Sequence, residues 1–325
     1  MDIINKEILN AIQKGFPLVR SPFAKLGRKF DLSEAETLAR IKDLKGEGVL
    51  RQINAIFDSR KLGFVSTLVA VKLAQHKLDK AGLIISSHPG VSHNYTRNHS
   101  YNLWFTITLP AETKLEETVK ALAEQAQAKN YLLLPALRTF KIGVMLDMVN
   151  GSKPDRKSLP KRKSDKGMIM AVKDRELIAA LEEDLPLVPR PYQELAKRSA
   201  MSETGLLAGA KKLLDQGAMR RFAGVLNHRQ AGFTFNAMAA WRVPKTRLKR
   251  VGELMASFSA VTHCYQRPTF PDWPYNIFTM VHGRNQEECT SVVSAIAEAT
   301  QIKDYRLLYS IKEYKKVRVK YARMM

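Results

Sequence analysis

The chain of 325 residues contains two copies of one sequence pattern. A shift of 169 residues, from position 17 to position 186, superimposes Pro17-Leu18-Val19 on Pro186-Leu187-Val188. The same shift superimposes Gly63-Phe64 on Gly232-Phe233. Similarity at a long fixed period indicates two copies of one structural unit. A fold assigned to the first half must therefore also suit the second.

Each copy opens with helical patterns and a short β-rich segment. In the first copy Ile4, Ile8 and Ile12 follow helical spacing, and Ser33-Glu34-Ala35-Glu36 is a capping box that opens a further helix. Val49 to Phe57 is β-branched and aromatic, which is typical of a pair of wing strands. The pattern predicts a winged helix-turn-helix.

The remainder of each copy predicts the order β-α-β-β-α-β, as in a ferredoxin-like module. A winged helix-turn-helix followed by such a module resembles the Lrp/AsnC architecture. That resemblance implies an α+β fold in which two tandem copies form an internal pseudo-dimer, with a site near their interface. The predicted boundaries are 1–60 and 169–229 for the helix-turn-helix units, 61–149 and 230–325 for the ferredoxin-like domains, and 150–168 for a linker.

Charge and composition limit the possible partners. The net charge of +22 concentrates anions near the surface, which suits nucleic acid, anionic lipid or a polycarboxylate. Seven Lys or Arg against two Asp between Gly151 and Gly167 predict a solvated basic linker.

The chain lacks the marks of export, membrane insertion or metal binding through cysteine. Acids occur early, and no apolar run approaches the roughly 20 residues of a membrane span, so we expect a cytoplasmic protein without a membrane partner. Cys264 and Cys289 have no metal-binding spacing.

A polar, aromatic cluster recurs in both copies at the predicted strand-to-strand connection. Alternation along a strand places His93, Tyr95 and Arg97 on one side. Histidine exchanges protons or ligates metal near neutral pH, arginine holds carboxylates, and aromatic faces favour a flat ligand. The candidates are His93, Tyr95, Arg97, His99 and Tyr101 in the first copy, and His263, Tyr265, Arg267, Trp273, Tyr275 and His282 in the second.

Some of these residues also have structural interpretations. Tyr101 and Tyr275 could pack as strand aromatics, and Trp273 could anchor a turn or cover a ligand. The wing arginines, Arg51, Arg220 and Arg221, could contact phosphate or substrate carboxylates. Three further histidines, His76, His88 and His228, are interpreted as structural or surface residues.

The longer motifs identify a family. Two stretches resemble the signatures of the sirohaem decarboxylases, an Lrp/AsnC-like family that usually pairs two homologous subunits. They are His93-Asn94-Tyr95-x-Arg97-x-His99-x-Tyr101-Asn102 in the first copy, and Cys264-Tyr265-x-Arg267-Pro268, followed by Trp273-Pro274-Tyr275-Asn276, in the second. Here both subunits would be fused in one chain. The resemblance implies that CO2 is removed from two acetate side chains of sirohaem to give didecarboxysirohaem, in haem or d-type haem biosynthesis. It implies no cofactor beyond the iron of the substrate.

The resemblance also implies roles for the candidate residues. The expected proton donors are His93, His99 and His263, assisted by Tyr95 or Tyr265, and one of the histidines could instead be the axial ligand of the sirohaem iron. Arginine on a leaving carboxylate would stabilise the ground state, so the arginines are assigned to the carboxylates that stay. The expected substrate-binding residues are Arg51, Arg97, Arg220, Arg221, Arg267, Tyr101, Trp273, Tyr275 and His282.

Two questions stay open from the sequence. His99 has no counterpart in the second copy, so one mixed pocket and two equivalent pockets are equally compatible. The alternative functions are a DNA-binding regulator and a non-catalytic haem carrier or sensor. Acids balance the bases of the expected recognition helix, from Ser33 to Lys45, so DNA is not the expected partner.

Overall fold

The computed structural model describes residues 1–143, 145–151, 156 and 175–325. Most of the predicted linker, 150–168, lies outside these residues. None of the helices described is long and apolar enough to cross a bilayer.

The helices are α1 (Ile3–Lys14), α2 (Pro22–Gly27), α3 (Glu34–Gly46), α4 (Leu78–Ser87), α5 (Leu115–Gln125), α6 (Arg175–Glu182), α7 (Pro191–Arg198), α8 (Glu203–Asp215), α9 (Leu248–Ser257) and α10 (Gln286–Thr300). The strands are β1 (Leu50–Phe57), β2 (Phe64–Lys72), β3 (Val91–Arg97), β4 (Leu103–Pro110), β5 (Asn130–Pro135), β6 (Arg138–Ile142), β7 (Met219–Leu226), β8 (Phe235–Trp241), β9 (Val261–Gln266), β10 (Ile277–Gly283) and β11 (Tyr305–Lys316).

The helix-turn-helix units form as predicted. Ser33 Oγ accepts from the backbone N–H of Glu36 at 3.2 Å, and Glu36 accepts in return from the Ser33 backbone, so the capping box starts α3. Ile8 and Ile12 are fully buried in an apolar core that also includes Ile178 and Tyr192 of the second copy. The two units therefore share one core.

The predicted wing hairpin is wrong. Each copy contributes a single strand, β1 or β7, and the two pair antiparallel with each other, for example Ile53 opposite Gly224 and Asn54 opposite Ala223. The β-branched character was recognised correctly, but its hydrogen-bonding partner lies in the other copy. A strand pattern alone does not specify that partner.

The two ferredoxin-like domains share one nine-stranded sheet, in the order β5-β2-β4-β3-β11-β8-β10-β9-β6. The last strand of each copy pairs with a strand of the other copy. In the second copy β11 pairs first with β8 and then with β3. In the first copy β5 pairs with β2, and β6 then pairs with β9. This exchange joins the copies into the predicted internal pseudo-dimer.

Close contacts between a helix and an exchanged strand occur in both copies. A Cβ at Gly82 in α4 would lie 2.6 Å from the Tyr314 ring of β11. A Cβ at Gly252 in α9 would lie 2.3 Å from the Phe140 ring of β6. Glycine at both places lets an aromatic side chain from the other copy lie against the helix backbone.

Candidate functional site

A cavity of about 600 Å³ lies where the two copies meet. Its walls come from β1 and the start of β3 in the first copy, and from the end of α6 and the segment after β11 in the second. His93 and Arg51 line it, as does Ser92. The volume is within the range of small-molecule sites.

His93 is held uncharged at the cavity wall. Its Nδ1 lies 3.0 Å from Ser92 Oγ, and its backbone lies opposite Lys316 of β11. Burial, together with the charges of Lys316, Arg51 and Arg318, lowers the pKa of His93 to about 4. At neutral pH the ring therefore has one unprotonated nitrogen and no positive charge.

Three more histidines lie close to one another beside His93. Thr262 Oγ1 lies 3.0 Å from Nδ1 of His263 and 3.3 Å from Nδ1 of His282, and the His282 ring is 5.7 Å from that of His228. Burial and the neighbouring His93 lower the pKa of His263 to about 4. Burial and His228 lower the pKa of His282 to about 3.

His228 belongs to this cluster and is not a surface residue. It is buried, and its Nδ1 accepts a hydrogen bond from Lys316 Nζ at 2.8 Å. Burial and the charge of Lys316 lower the pKa of His228 to about 4. Sequence reasoning missed it because it does not belong to the repeated His-x-Tyr-x-Arg pattern.

Four basic residues, Arg51, Arg318, Lys320 and Arg323, line the cavity against a single acid, Glu182. Burial raises the pKa of Glu182 to about 7, although its hydrogen bond from the Tyr321 backbone opposes this shift. The lining therefore favours an anionic ligand.

Sequence reasoning also missed the basic residues beyond β11. Lys316, Arg318 and Lys320 alternate with valines. This period of two was the signal that could have placed three cations on one side of an extended segment.

Tyr95 and Tyr265 occupy matching positions beside the paired histidines. Their rings lie 6.3 Å from His93 and 6.0 Å from His263, respectively. Burial and the nearby Glu313 carboxylate raise the pKa of Tyr95, so its phenol keeps its proton. Both tyrosines follow the predicted alternation.

Arg97 and Arg267 are engaged in the interface between the copies and do not line the cavity. Arg97 Nη1 donates to the Leu308 carbonyl at 2.8 Å, and Arg267 Nη1 donates to the Leu134 carbonyl. Leu308 lies in β11 of the second copy, and Leu134 lies in β5 of the first. The structure thus places these arginines at contacts between the two copies.

His99 and three aromatic candidates lie beyond the opposite end of β3, away from the cavity. The Trp273 side chain is fully buried, with Tyr101 and Tyr275 in the same apolar core between the sheets. The His99 ring lies edge-on to Trp273 at 5.2 Å, and its Nδ1 accepts from the backbone N–H of Tyr101. The structure does not bring these side chains to His93, and their contacts match the packing interpretation.

The wing arginines differ in their surroundings. Arg51 is exposed, and its Nη2 donates to the Lys316 carbonyl at 3.3 Å. Arg220 forms an ion pair of 2.7 Å with the buried Asp58. Burial lowers the pKa of Arg221, and its neighbour Arg220 adds to the shift. Only Arg51 of the three lines the cavity.

The pseudo-equivalent position in the second copy is nearly filled. There Ile142 lies opposite His263, where Lys316 lies opposite His93. The space beside His282 is about 20 Å³ and is lined by Met145 and Leu146. Among the described residues, the two positions thus differ in volume and in the residue that lies opposite the histidine.

Known families cover both copies. The family "Siroheme decarboxylase NirDL-like HTH domain" matches residues 5–51 and 174–220. The family "AsnC-like ligand binding domain" matches residues 61–141 and 230–315.

Relatives and solved structures extend this similarity to nearly the whole chain. A siroheme decarboxylase of Hydrogenobacter thermophilus is 40% identical over 97% of this chain and 94% of its own length. A siroheme decarboxylase beta subunit of Methanosarcina barkeri is 43% identical over 45% of this chain and 97% of its own length. A crystal structure of the siroheme decarboxylase NirDL with an iron-uroporphyrin III analogue has a TM-score of 0.74 and 35% identity, covering 98% of this chain and 94% of that one.

Proposed function

The chain belongs to the siroheme decarboxylase NirDL-like family, and we propose that it is itself a sirohaem decarboxylase, a carboxy-lyase with both subunits fused. The observation that carries this proposal is the cationic cavity beside His93, at the junction of the two copies. Sirohaem has eight carboxylates, so a lining with four basic residues and one acid matches its charge. The two acetates lose CO2 to leave methyl groups.

Decarboxylation needs an electron sink and a proton. The tetrapyrrole ring supplies the sink, and the protein supplies the proton. We assign proton transfer to His93 and His263, with Tyr95 or Tyr265 assisting. The cations near His93 hold its imidazole uncharged before substrate binds. Substrate carboxylates would offset those cations and raise the histidine pKa values, since an opposite charge favours the protonated form.

The iron is part of the substrate. Either His93 or His263 offers a neutral nitrogen suited to an axial bond, and we retain both as candidates. His99 lies beyond the other end of β3, where its Nδ1 already accepts a hydrogen bond. We therefore favour His93 and His263 over His99 as the proton donor and as the ligand of the substrate iron.

Arg51 is the wing arginine best placed to hold a substrate carboxylate, because it lines the cavity. Arg220 already has Asp58 as a partner. If the arginines bind the carboxylates that are retained, no arginine stabilises the ground state of the two acetates that lose CO2.

Anaerobic incubation with sirohaem, followed by mass spectrometry of the tetrapyrrole, tests the function. The expected product has lost two CO2 groups. Sirohaem that is bound but unchanged would indicate a carrier. Absence of binding, together with salt-sensitive binding to operator DNA, would indicate a regulator.

A further inference from the structure

The segment that follows β11 forms one side of the cavity. We call Val317–Met324 the C-terminal arm. Its backbone continues the pairing of β11, since the N–H of Val317 donates to the Ser92 carbonyl at 2.8 Å. Beyond that point the arm crosses from the sheet to the helix-turn-helix units, and most of its residues line the cavity.

The arm is fastened at both ends of this crossing. Arg318 Nη1 donates to Asn54 Oδ1 at 3.2 Å and to the Ala55 carbonyl at 3.3 Å, both in β1 of the first copy. Further along, the backbone N–H of Tyr321 donates to Glu182 Oε1 at 2.6 Å, at the end of α6. The arm is thus a fixed wall attached to both copies.

Glu182 is buried, and both its carboxylate and its backbone carbonyl contact the arm. Besides the Tyr321 bond, its backbone carbonyl accepts from Lys320 Nζ at 3.0 Å. Arg175, at the start of the same helix, donates to the Ala322 carbonyl at 2.8 Å. Removal of the Glu182 carboxyl would release the arm at Tyr321 while leaving its cations intact.

We propose that the C-terminal arm binds carboxylates of the tetrapyrrole through Arg318 and Lys320, and that Glu182 is the positioning residue that holds the arm in place. This inference rests on the proposed function. The substrate-binding wall beside His93 of the first copy is then formed by a segment of the second copy. Glu182, the single acid among the described lining residues, holds that segment in place.

Binding of iron uroporphyrin to the full-length chain, followed by absorbance, tests the arm. Loss of a charged hydrogen bond weakens binding about 10- to 100-fold, so Arg318→Gln should raise Kd by that factor. Iron coproporphyrin, with four carboxylates instead of eight, should show a smaller change. The matched control is Lys312→Gln, which removes a charge from β11 where Lys312 pairs with Asp79. An Arg318→Gln variant with the Kd of this control would overturn the proposal.

The role of Glu182 is tested by comparing the Kd of a double variant with the Kd values of the two single variants. Glu182→Leu should raise the Kd although Arg318 is intact, and the double variant should bind no more weakly than the weaker single variant. Glu182→Gln keeps an acceptor for Tyr321 and should restore the Kd to within about 3-fold of the parent. The KM for sirohaem should rise with kcat nearly unchanged. Additive effects, or a fall in kcat alone, would remove Glu182 from this role.

Decarboxylation measured in parallel separates the two proposals. Sirohaem turnover by the parent together with an unchanged Kd in Arg318→Gln overturns the arm alone. Binding without turnover in the parent, with a raised Kd in the variant, overturns the enzymatic function and supports the arm. Thermal unfolding of each variant checks that it is folded.

Discussion

At the scale of single residues, the cations around the cavity have two effects. They attract an anionic ligand, and they keep the neighbouring histidines neutral. Lys316 shows the second effect, because it contributes to the lowered pKa of His93 and of His228 and donates a hydrogen bond to His228. Neutral histidines of this kind are poor proton donors. They become better ones when carboxylates enter.

Replacement of His93 should therefore affect turnover more than folding. A positioned acid or base contributes about 10²–10⁴-fold, so His93→Ala should lower kcat by that range. His76→Ala is the control, since His76 is exposed on the first copy. Single-turnover assays of didecarboxysirohaem formation measure the effect. Full turnover by His93→Ala would remove it from the proton-transfer step.

The same histidines predict a loss of stability in acid. His282 has a folded-state pKa of about 3, well below the ordinary value of 6.5. A depressed pKa means that the unfolded chain binds protons more readily, so stability is present above pH 6.5 and is lost as the pH falls towards 3. For His282 alone the loss by pH 4 is about 3 kcal/mol.

Urea unfolding at pH 7.5 and pH 4.5 checks this expectation. His282→Leu should lose less stability between the two pH values than the parent protein. His76→Ala should lose as much as the parent. An equal loss in all three proteins would mean that His282 is already solvated in the folded state.

At the scale of elements, the hydrophobic pattern predicted where helices and strands lie in the sequence more reliably than it predicted which strands pair with each other. The capping box of α3 is a local signal, and it formed as predicted. The prediction of a wing hairpin was wrong because β1 pairs with β7, which lies 169 residues further along the chain. The pairing of β11 with β3 of the other copy leaves no local mark in the sequence either. Pairing between distant strands depends on tertiary contacts that periodicity does not encode.

The glycines facing the exchanged strands give an element-scale prediction. Gly252→Ala would place a methyl group on the Phe140 ring, and such overpacking costs about 1–3 kcal/mol. Gly46→Ala is the control, because nothing lies within 4 Å of a Cβ there. Thermal unfolding should show a lower Tm for Gly252→Ala alone. Equal Tm values would mean that β6 moves away from α9 at little cost.

At the scale of the whole molecule, the duplication predicted the pseudo-dimer but not its asymmetry. The repeated motif indicated two similar clusters. The structure separates His93 from His99 and places Trp273 in the core. These positions depend on how the copies pack, which a single sequence pattern does not reveal. The domain boundaries and the linker at 150–168 stay predictions.

The asymmetry predicts one tetrapyrrole site per chain. Beside His93 the exchanged strand contributes Lys316 and leaves a cavity of about 600 Å³. In the second copy it contributes Ile142 opposite His263, and the space at the neighbouring Thr262 and His282 is about 20 Å³. Both decarboxylations would then occur in the same cavity.

Titration with iron uroporphyrin should saturate at one equivalent per chain. In Arg318→Gln the Kd should rise for all of the bound ligand, because a single site is affected as a whole. If two sites existed, half of the ligand would keep the parent Kd, since Arg318 lines only the cavity beside His93. A stoichiometry of two with biphasic binding would therefore show that the space beside His282 opens in solution, and that the apolar residues Met145 and Leu146 move out of it.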